Sequence, residues 1–442
     1  MWHTAILSFL TIFQAFTQAS SWIDLALKFV PFALFFELPL MLLIMLGMFK
    51  FAIRQPSIPK VPCCFRSVSC IVTCYSEGET IKYTLNSLAN QLYPGKIEII
   101  AVVDGAIKNK ASLDAVNSCS AVINAMPKRR LIVVPKWQRG GRVSSLNAGL
   151  SIASGEIVMV VDGDTSFDND MVLKATRHFD DPNVVSVAGN LRVRNAAKSL
   201  ATRLQALEYL ISISGGKTGL SEFNAVNNIS GAFGIFRADF LRTIGGWDSG
   251  TAEDLDLTLR IKQYFGRNKG MHIVFDPYAV GHTNVPETFL DFFKQRIRWD
   301  GDLFYLYLRK YRYNVRPRIM GWKSFFFVLI PGVFFQIVLP FIIPLYTFYL
   351  FLAYEPGIII GVLFFVYLSY FCALSIYFLT YWLLISERPK ADARYFLYLP
   401  LYPLFAFFTR LNSALALTHE IVNHGHLDSA MAPWWVLRKT KF

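Results

Sequence analysis

The chain is 442 residues long, 54% apolar and 15% aromatic, with only 17% charged residues and a mean hydropathy of +0.38. Soluble domains carry nearer a quarter charged residues, so a purely cytosolic enzyme fits poorly and a lipid bilayer is an expected partner. Forty-four Lys and Arg against 31 Asp and Glu leave +13, which suits anionic partners such as phosphorylated substrates; a nucleic acid is not expected, because a reader of bases has no use for long uncharged Phe, Leu and Ile runs.

In chain order, residues 4–22 carry no charge but hold many Ser, Thr and Gln, and read as a second span, an interfacial helix or neither. A cleaved signal peptide would need a basic start, which is missing, and a further hydrophobic span follows at once. Phe29 to Phe51 contains one acid, Glu37, and a late Lys50, so it exceeds the ~20 residues that cross a ~30 Å hydrocarbon core and reads as a transmembrane helix. Toward the other end Ser324 to Ala353, Gly357 to Ser386 and Tyr395 to Leu417 are further aromatic-rich apolar segments, of which two or three should span. Lys50, Arg54, Lys60 and Arg66 follow the first span, and Lys310, Arg312, Arg316, Arg318 and Lys323 precede the later group. By the positive-inside rule both flanks face the cytoplasm, which predicts a multi-pass protein of the cell membrane with a cytoplasmic catalytic domain. The expected divisions are 1–54 for N-terminal membrane segments, 55–287 for the cytosolic domain, 288–322 for amphipathic interface helices, 323–418 for a transmembrane bundle and 419–442 for a tail. In that tail Trp434 to Lys439 suits an interface or a gating segment.

Between the spans, short β-branched runs alternate with longer mixed ones. Ser67–Thr73, Ile97–Val103, Leu131–Pro135, Ile157–Val161, Val184–Ala188 and Ile273–Phe275 read as buried strands. Glu79–Gln91, Ser112–Ala125, Arg142–Ala153 and Asp168–Phe179 have helix length. Strand–helix alternation predicts an α/β domain on a mostly parallel sheet, inserted between transmembrane helices, with ligands off the carboxyl ends of the strands.

That is where the acids fall. Asp162-Gly163-Asp164 ends one strand, and two hard oxygen donors at i and i+2 suit Mg²⁺ or Mn²⁺ held between protein and diphosphate, with a plain turn as the bland alternative. Asp104-Gly105 ends another, where a carboxylate can accept hydrogen bonds from a base or ribose. Gly140-Gly141-Arg142 puts a cation and pliable backbone before a helix, a diphosphate contact. Ser230 to Gly234 is a small-residue segment that lets backbone approach a ligand. Glu253, Asp254 and Asp256 cluster in four positions, a general base or a solvated helix start. Finally Gln295-Arg296-Ile297-Arg298-Trp299 lies inside the amphipathic stretch Thr288 to Arg309, which also reads as a membrane-surface helix. Cys63, Cys64, Cys70 and Cys74 lack the paired spacing of a zinc site.

The order strand-acid, Asp-x-Asp, Glu-Asp and Gln-x-x-Arg-Trp beside a membrane bundle resembles the membrane-embedded family-2 glycosyltransferases, the processive β-glycan synthases that include cellulose, chitin, hyaluronan and poly-N-acetylglucosamine synthases. The resemblance covers Ser67 to Tyr311 closely. The compact poly-N-acetylglucosamine type is the most similar, through Gly189-Asn190-Leu191-Arg192, Glu208-Tyr209 and Pro286-Glu287-Thr288. It implies an A-type glycosyltransferase fold, with Asp104, Asp162, Arg142, Arg296 and Arg298 on the nucleotide-sugar, Asp162 and Asp164 on the metal, Asp254 with Glu253 as the catalytic acids, and Gln295 and Trp299 on the acceptor. It further implies a nucleotide-sugar donor, a growing glycan as acceptor and accessory export subunits as partners. Two departures stand out: Ala252 precedes the Glu-Asp pair where many members have Thr, and Arg142 stands where Lys is usual. A non-processive transferase of the ceramide-glucosylating kind shares the same acids. A transporter with a nucleotide-sensing domain would show more spans with polar residues inside them.

Overall fold

The buried apolar runs pair into one eight-stranded sheet in a computed structural model that describes residues 31–248 and 252–423. Segment 4–22 and the Trp434 to Lys439 segment lie outside the described residues. The strands are β1 (Val68–Cys74), β2 (Ile97–Asp104), β3 (Arg129–Lys136), β4 (Ile157–Asp162), β5 (Ser166–Phe167), β6 (Val184–Val193), β7 (Phe233–Arg237) and β8 (His272–Thr283), in the order β3-β2-β1-β4-β7-β6-β8-β5. The first four are parallel, and β7 enters antiparallel between β4 and β6. Sequence reading missed β7, because Phe233-Gly234-Ile235-Phe236 is buried on both faces and so shows no alternation.

Period-two alternation sorts β1 between two cores. Val68, Cys70 and Val72 pack with the helices α1 (Ile81–Ala89), α2 (Lys110–Ala125) and α3 (Met171–Thr176), while Ile71 packs on the other face against α4 (Gly141–Ile152) and α5 (Glu253–Lys262). The helix expected from Asp168 begins later, at Met171, because Asp168 is held at the sheet edge: its N–H donates to the Val280 carbonyl, and its carboxylate accepts from His282 and Arg388. The parallel half brings Asp104 and Asp162 to the same carboxyl edge, with Thr73 opposite Asp162 in register.

Three helices among the described residues are long and apolar enough to cross a bilayer: Ala33–Ser57, Trp322–Ala353 and Pro356–Leu384. The segment expected from Tyr395 to Leu417 is not one of them. It begins as a 3-10 turn and continues as α7 (Tyr402–Asn423), after α6 (Phe289–Phe304), which carries the Gln-x-x-Arg-Trp motif. The polar face of α7 clamps its neighbours: Asn412 donates to the Phe293 carbonyl at 3.1 Å, and Ser413 to Asp300 at 2.6 Å. Arg410 pairs with Glu37, the acid inside the first span, which Tyr370 also hydrogen-bonds. A charge that would be costly in hydrocarbon is thereby neutralised.

The first span joins the catalytic domain by backbone contact. A Cβ built on Gly47 would lie 2.1 Å from the Gly219 carbonyl oxygen, and one on Gly219 would lie 2.2 Å from that of Ile44. Only two glycines allow the helices to approach so closely.

One buried charge lacks a partner. Lys262 is 2% exposed with no ion pair among the described residues, and burial pushes its pKa down to about 7 from 10.5. The unfolded chain therefore binds more protons between those values, so this group lowers stability fully below pH 7 and ceases to do so as pH rises toward 10.5. Lys262→Met is expected to raise the unfolding temperature, most below pH 7, with the gain fading toward pH 10.5. Thermal unfolding across that range checks it, and a gain independent of pH would contradict it.

Candidate active site

Arg142, in the first turn of α4, links the two acidic motifs. Its guanidinium pairs with Asp162 at the end of β4 and with Glu253 at the start of α5, and donates to the Gly231 carbonyl at 2.7 Å and the Thr73 hydroxyl at 3.2 Å. It is thus held by carboxylates, where the sequence pointed to diphosphate. Gly231 fills the centre of this cluster: a Cβ there would lie 2.8 Å from Glu253 and 3.5 Å from the Asp254 side chain. The expectation that backbone comes close to the site at Ser230–Gly234 therefore applies to Gly231, while Phe233 onward belongs to β7.

Asp254 opens α5 beside that glycine. Its Oδ1 accepts from the Leu255 N–H at 2.7 Å, and its Oδ2 from Asn228 Nδ2 at 3.2 Å and the Gly231 N–H at 3.3 Å. Behind it, Lys217 is 5% exposed and donates to the Asn228 carbonyl at 2.9 Å. Burial pushes this lysine down to about 8, against the pull of the Asp254 charge. Lys217 ends a π-helical segment, Tyr209–Lys217, two residues before the Gly219 that meets the first span. Lys217 and Asn228 were missed in the sequence, where neither stands in a recognisable motif. Asp256, the third acid of its cluster, is fully buried and is used up by Arg260, Lys310 and Tyr311.

The Asp162-Gly163-Asp164 turn is pinned from three sides. The Gly163 N–H donates to Thr73, its carbonyl accepts from Thr84 at 2.7 Å, and Arg194 holds the Asp164 carbonyl at 2.8 Å. Gly163 is required for space: a Cβ would lie 3.0 Å from Glu77, Ile81 and Thr73. Glu77 is a third acid here. One of its oxygens is buried without a hydrogen-bond partner among the described residues, and burial, with Asp164 and Asp162 adding, pushes its pKa up to about 7. It lies three residues past β1, on the same side of the sheet where Asp104 ends β2 and Asp162 ends β4, a signal that could have exposed it. Asp104 is 4% exposed; it accepts from Lys136 at 2.8 Å and from the Gly140 and Gly141 N–H groups at 2.9 Å, so it organises the loop that delivers Arg142.

Leu303 of the motif helix α6 packs on the apolar cluster to which Leu255 and Leu259 of α5 also belong. Arg296 is paired with both oxygens of Glu208 at 2.7–2.8 Å and lies over the Trp299 ring at 5.0 Å. Arg298 and Trp299 are exposed, Trp299 by 37%, and Gln295 is half-buried. Burial pushes the Asp302 carboxyl well up, opposed by Arg298 and reinforced by Glu420, Glu253 and Asp254. Asp302, three residues past the motif, is thus within electrostatic reach of both Arg298 and the Glu253–Asp254 pair. Arg142, Asp162, Glu253 and Asp254 thus form one cluster, with Asp164 two residues beyond Asp162, while Asp104 is bound by Lys136 and two loop N–H groups and Arg296 by Glu208.

An acidic cluster at the carboxyl edge of a mixed, largely parallel sheet is the arrangement expected of a glycosyltransferase-type α/β domain. The chain belongs to the family described as glycosyltransferase like family 2, which matches residues 66–301. It is 32% identical over 234 residues to a poly-beta-1,6-N-acetyl-D-glucosamine synthase of Staphylococcus epidermidis, covering 52% of this chain and 53% of that one. To the synthase of the same name from Staphylococcus aureus strain COL it is 32% identical over 233 residues, with the same coverage. The match spans about half the length of these curated relatives. Among solved structures, a mannosyltransferase from Pyrobaculum calidifontis in complex with GDP-Man and Mn²⁺ has the same fold, with a TM-score of 0.53 and 18% identity over 87% of this chain and 99% of that one.

Proposed function

We propose that this protein is an inverting, processive glycosyltransferase that builds a β-linked polysaccharide from a UDP-activated hexose or N-acetylhexosamine and passes it across the cell membrane, with its catalytic domain in the cytoplasm. The observation that carries the reading is the carboxylate of Asp254, fixed by the Leu255 N–H, Asn228 and the Gly231 N–H beside the Arg142 cluster. A sugar hydroxyl is a weak nucleophile, so a base must take its proton as the oxygen attacks. Asp254 takes that proton; the oxygen bonds to the anomeric carbon from the face opposite the nucleoside diphosphate, whose C–O bond breaks. With one base and no second carboxylate placed as nucleophile, an α-linked donor gives a β-linkage.

Asp162 and Asp164 suit a divalent ion by their hard oxygens, and the Glu77 carboxyl packs against the Gly163 turn between them. No ready-made group of three ligands converges among the described residues, so Mg²⁺ or Mn²⁺ would share its coordination with the donor diphosphate. That ion would neutralise the departing charge. Arg142 holds Asp162 and Glu253 in register, and Arg298 offers a cation from the acceptor side. Trp299 presents its exposed ring to sugar C–H faces, which permits sliding without a fixed register.

Trp299→Ala is expected to shorten or abolish polymer while donor hydrolysis to free sugar and nucleotide persists. Product sizing by gel or mass spectrometry, alongside nucleotide release, checks this. Polymer of unchanged length would remove Trp299 from the acceptor path.

A further inference from the structure

Away from the Arg142 and Asp254 cluster, the structure holds a cavity of about 470 Å³, within the range of small-ligand sites. Lys50 and Arg54 enter it from the last turns of the first span, Lys323 from the first turn of the Trp322–Ala353 span, and Lys269 from the catalytic domain. The acids and motif residues of the active site do not line it. One span leads into the catalytic domain and the other leaves it, so both meet the cavity at their domain-side ends. That is the depth of lipid headgroups.

The charge there is unbalanced. Four Lys and Arg face one acid, Glu222, whose side chain is 3% exposed and already paired with Arg54 and, at 3.7 Å, with Lys50. His272 on the same wall is turned to Asp181 at 3.4 Å. Lys269 and Lys323 have neither an ion pair nor a side-chain hydrogen bond among the described residues. The wall is built: Ser221 accepts from the Phe275 N–H at 2.9 Å, and Asn224, in the left-handed region at φ 51°, ties the Met271 carbonyl and the Ile273 N–H. Beside the cations run exposed apolar side chains, Phe49 and Ile53 on one span and Trp322 and Phe326 on the other.

A cationic recess bordered by lipid-facing apolar flanks matches an amphiphile with a negative head. We propose that this cavity holds the phosphodiester headgroup of an anionic phospholipid, with Lys269 and Lys323 on the phosphate and the acyl chains along the two spans. The inference rests on those helices spanning the membrane and not on the sugar chemistry.

The test uses the full chain in nanodiscs of phosphatidylglycerol and phosphatidylcholine, with bound lipid counted by native mass spectrometry after release into detergent. Wild type and Lys269→Arg/Lys323→Arg should retain phosphatidylglycerol over phosphatidylcholine. Lys269→Gln/Lys323→Gln, checked for an unchanged unfolding temperature, should lose that retention at least about tenfold, as expected for two lost headgroup charges. Lys390→Gln, an exposed control outside the cavity, should behave as wild type. Equal retention in the double Gln variant, equal retention of both lipids, or displacement of phosphatidylglycerol by inorganic phosphate alone would overturn the proposal, the last by marking a free-anion site.

Discussion

Asp254→Asn is expected to lower sugar transfer by about 10²–10⁴-fold, the usual contribution of a general base, while donor binding stays close to wild type. The substitution is nearly isosteric, and the Leu255 N–H, Asn228 and Gly231 still surround the side chain, so the loss falls on proton removal. Asp162, proposed to face the donor, sits on a different element, at the end of β4. Rapid-mix measurement of nucleotide release, with donor affinity by calorimetry, separates the two. Lost donor binding with normal residual chemistry would assign Asp254 to the nucleotide instead.

Asp164→Asn should abolish the divalent dependence of nucleotide binding and reduce turnover by about 10³-fold, since a Lewis acid at a diphosphate contributes several kcal/mol. Asp164 is the cleaner test of the pair, because its carboxylate accepts from the Thr165 hydroxyl at 3.3 Å and has no ion pair among the described residues. Asp162→Asn should be at least as severe, because it also releases Arg142 from one of its two carboxylates and loosens Glu253. Expression and unfolding temperature should change little, as both groups lie at a strand end and not in the core. Mn²⁺ titration of nucleotide binding checks both variants, and full activity in Asp164→Asn would remove it from the metal site.

The sequence disclosed those elements whose signal is local. An apolar run stopped by an acid marks both a buried parallel strand and its ligand edge, so β1 to β4 and the positions of Asp104 and Asp162 were readable. Long-range pairing was not. Nothing in Arg296 shows that Glu208, on another helix, will take its guanidinium, or that Lys136 and two loop N–H groups will occupy Asp104. Lys217 escaped notice because a lysine in an apolar run reads as a blemish until its tie to Asn228, and through that to Asp254, is seen in three dimensions. Gly163 lies where a Cβ would come within 3.0 Å of Glu77, Ile81 and Thr73, a crowding set by residues far off in the sequence. The last apolar segment looked like a span by composition, whereas the polar face formed by Arg410, Asn412 and Ser413 fastens it to the first span and to the motif helix.

The most direct test of the central claim is a product assay with the purified full chain in sealed proteoliposomes, supplied on one side with Mn²⁺ or Mg²⁺ and a panel of labelled nucleotide-sugars. The account predicts that one donor is consumed with release of its nucleoside diphosphate, and that the sugar is recovered as a β-linked ladder of single-residue increments in the compartment opposite the donor. A single sugar on lipid, free sugar alone, or polymer confined to the donor side would contradict it.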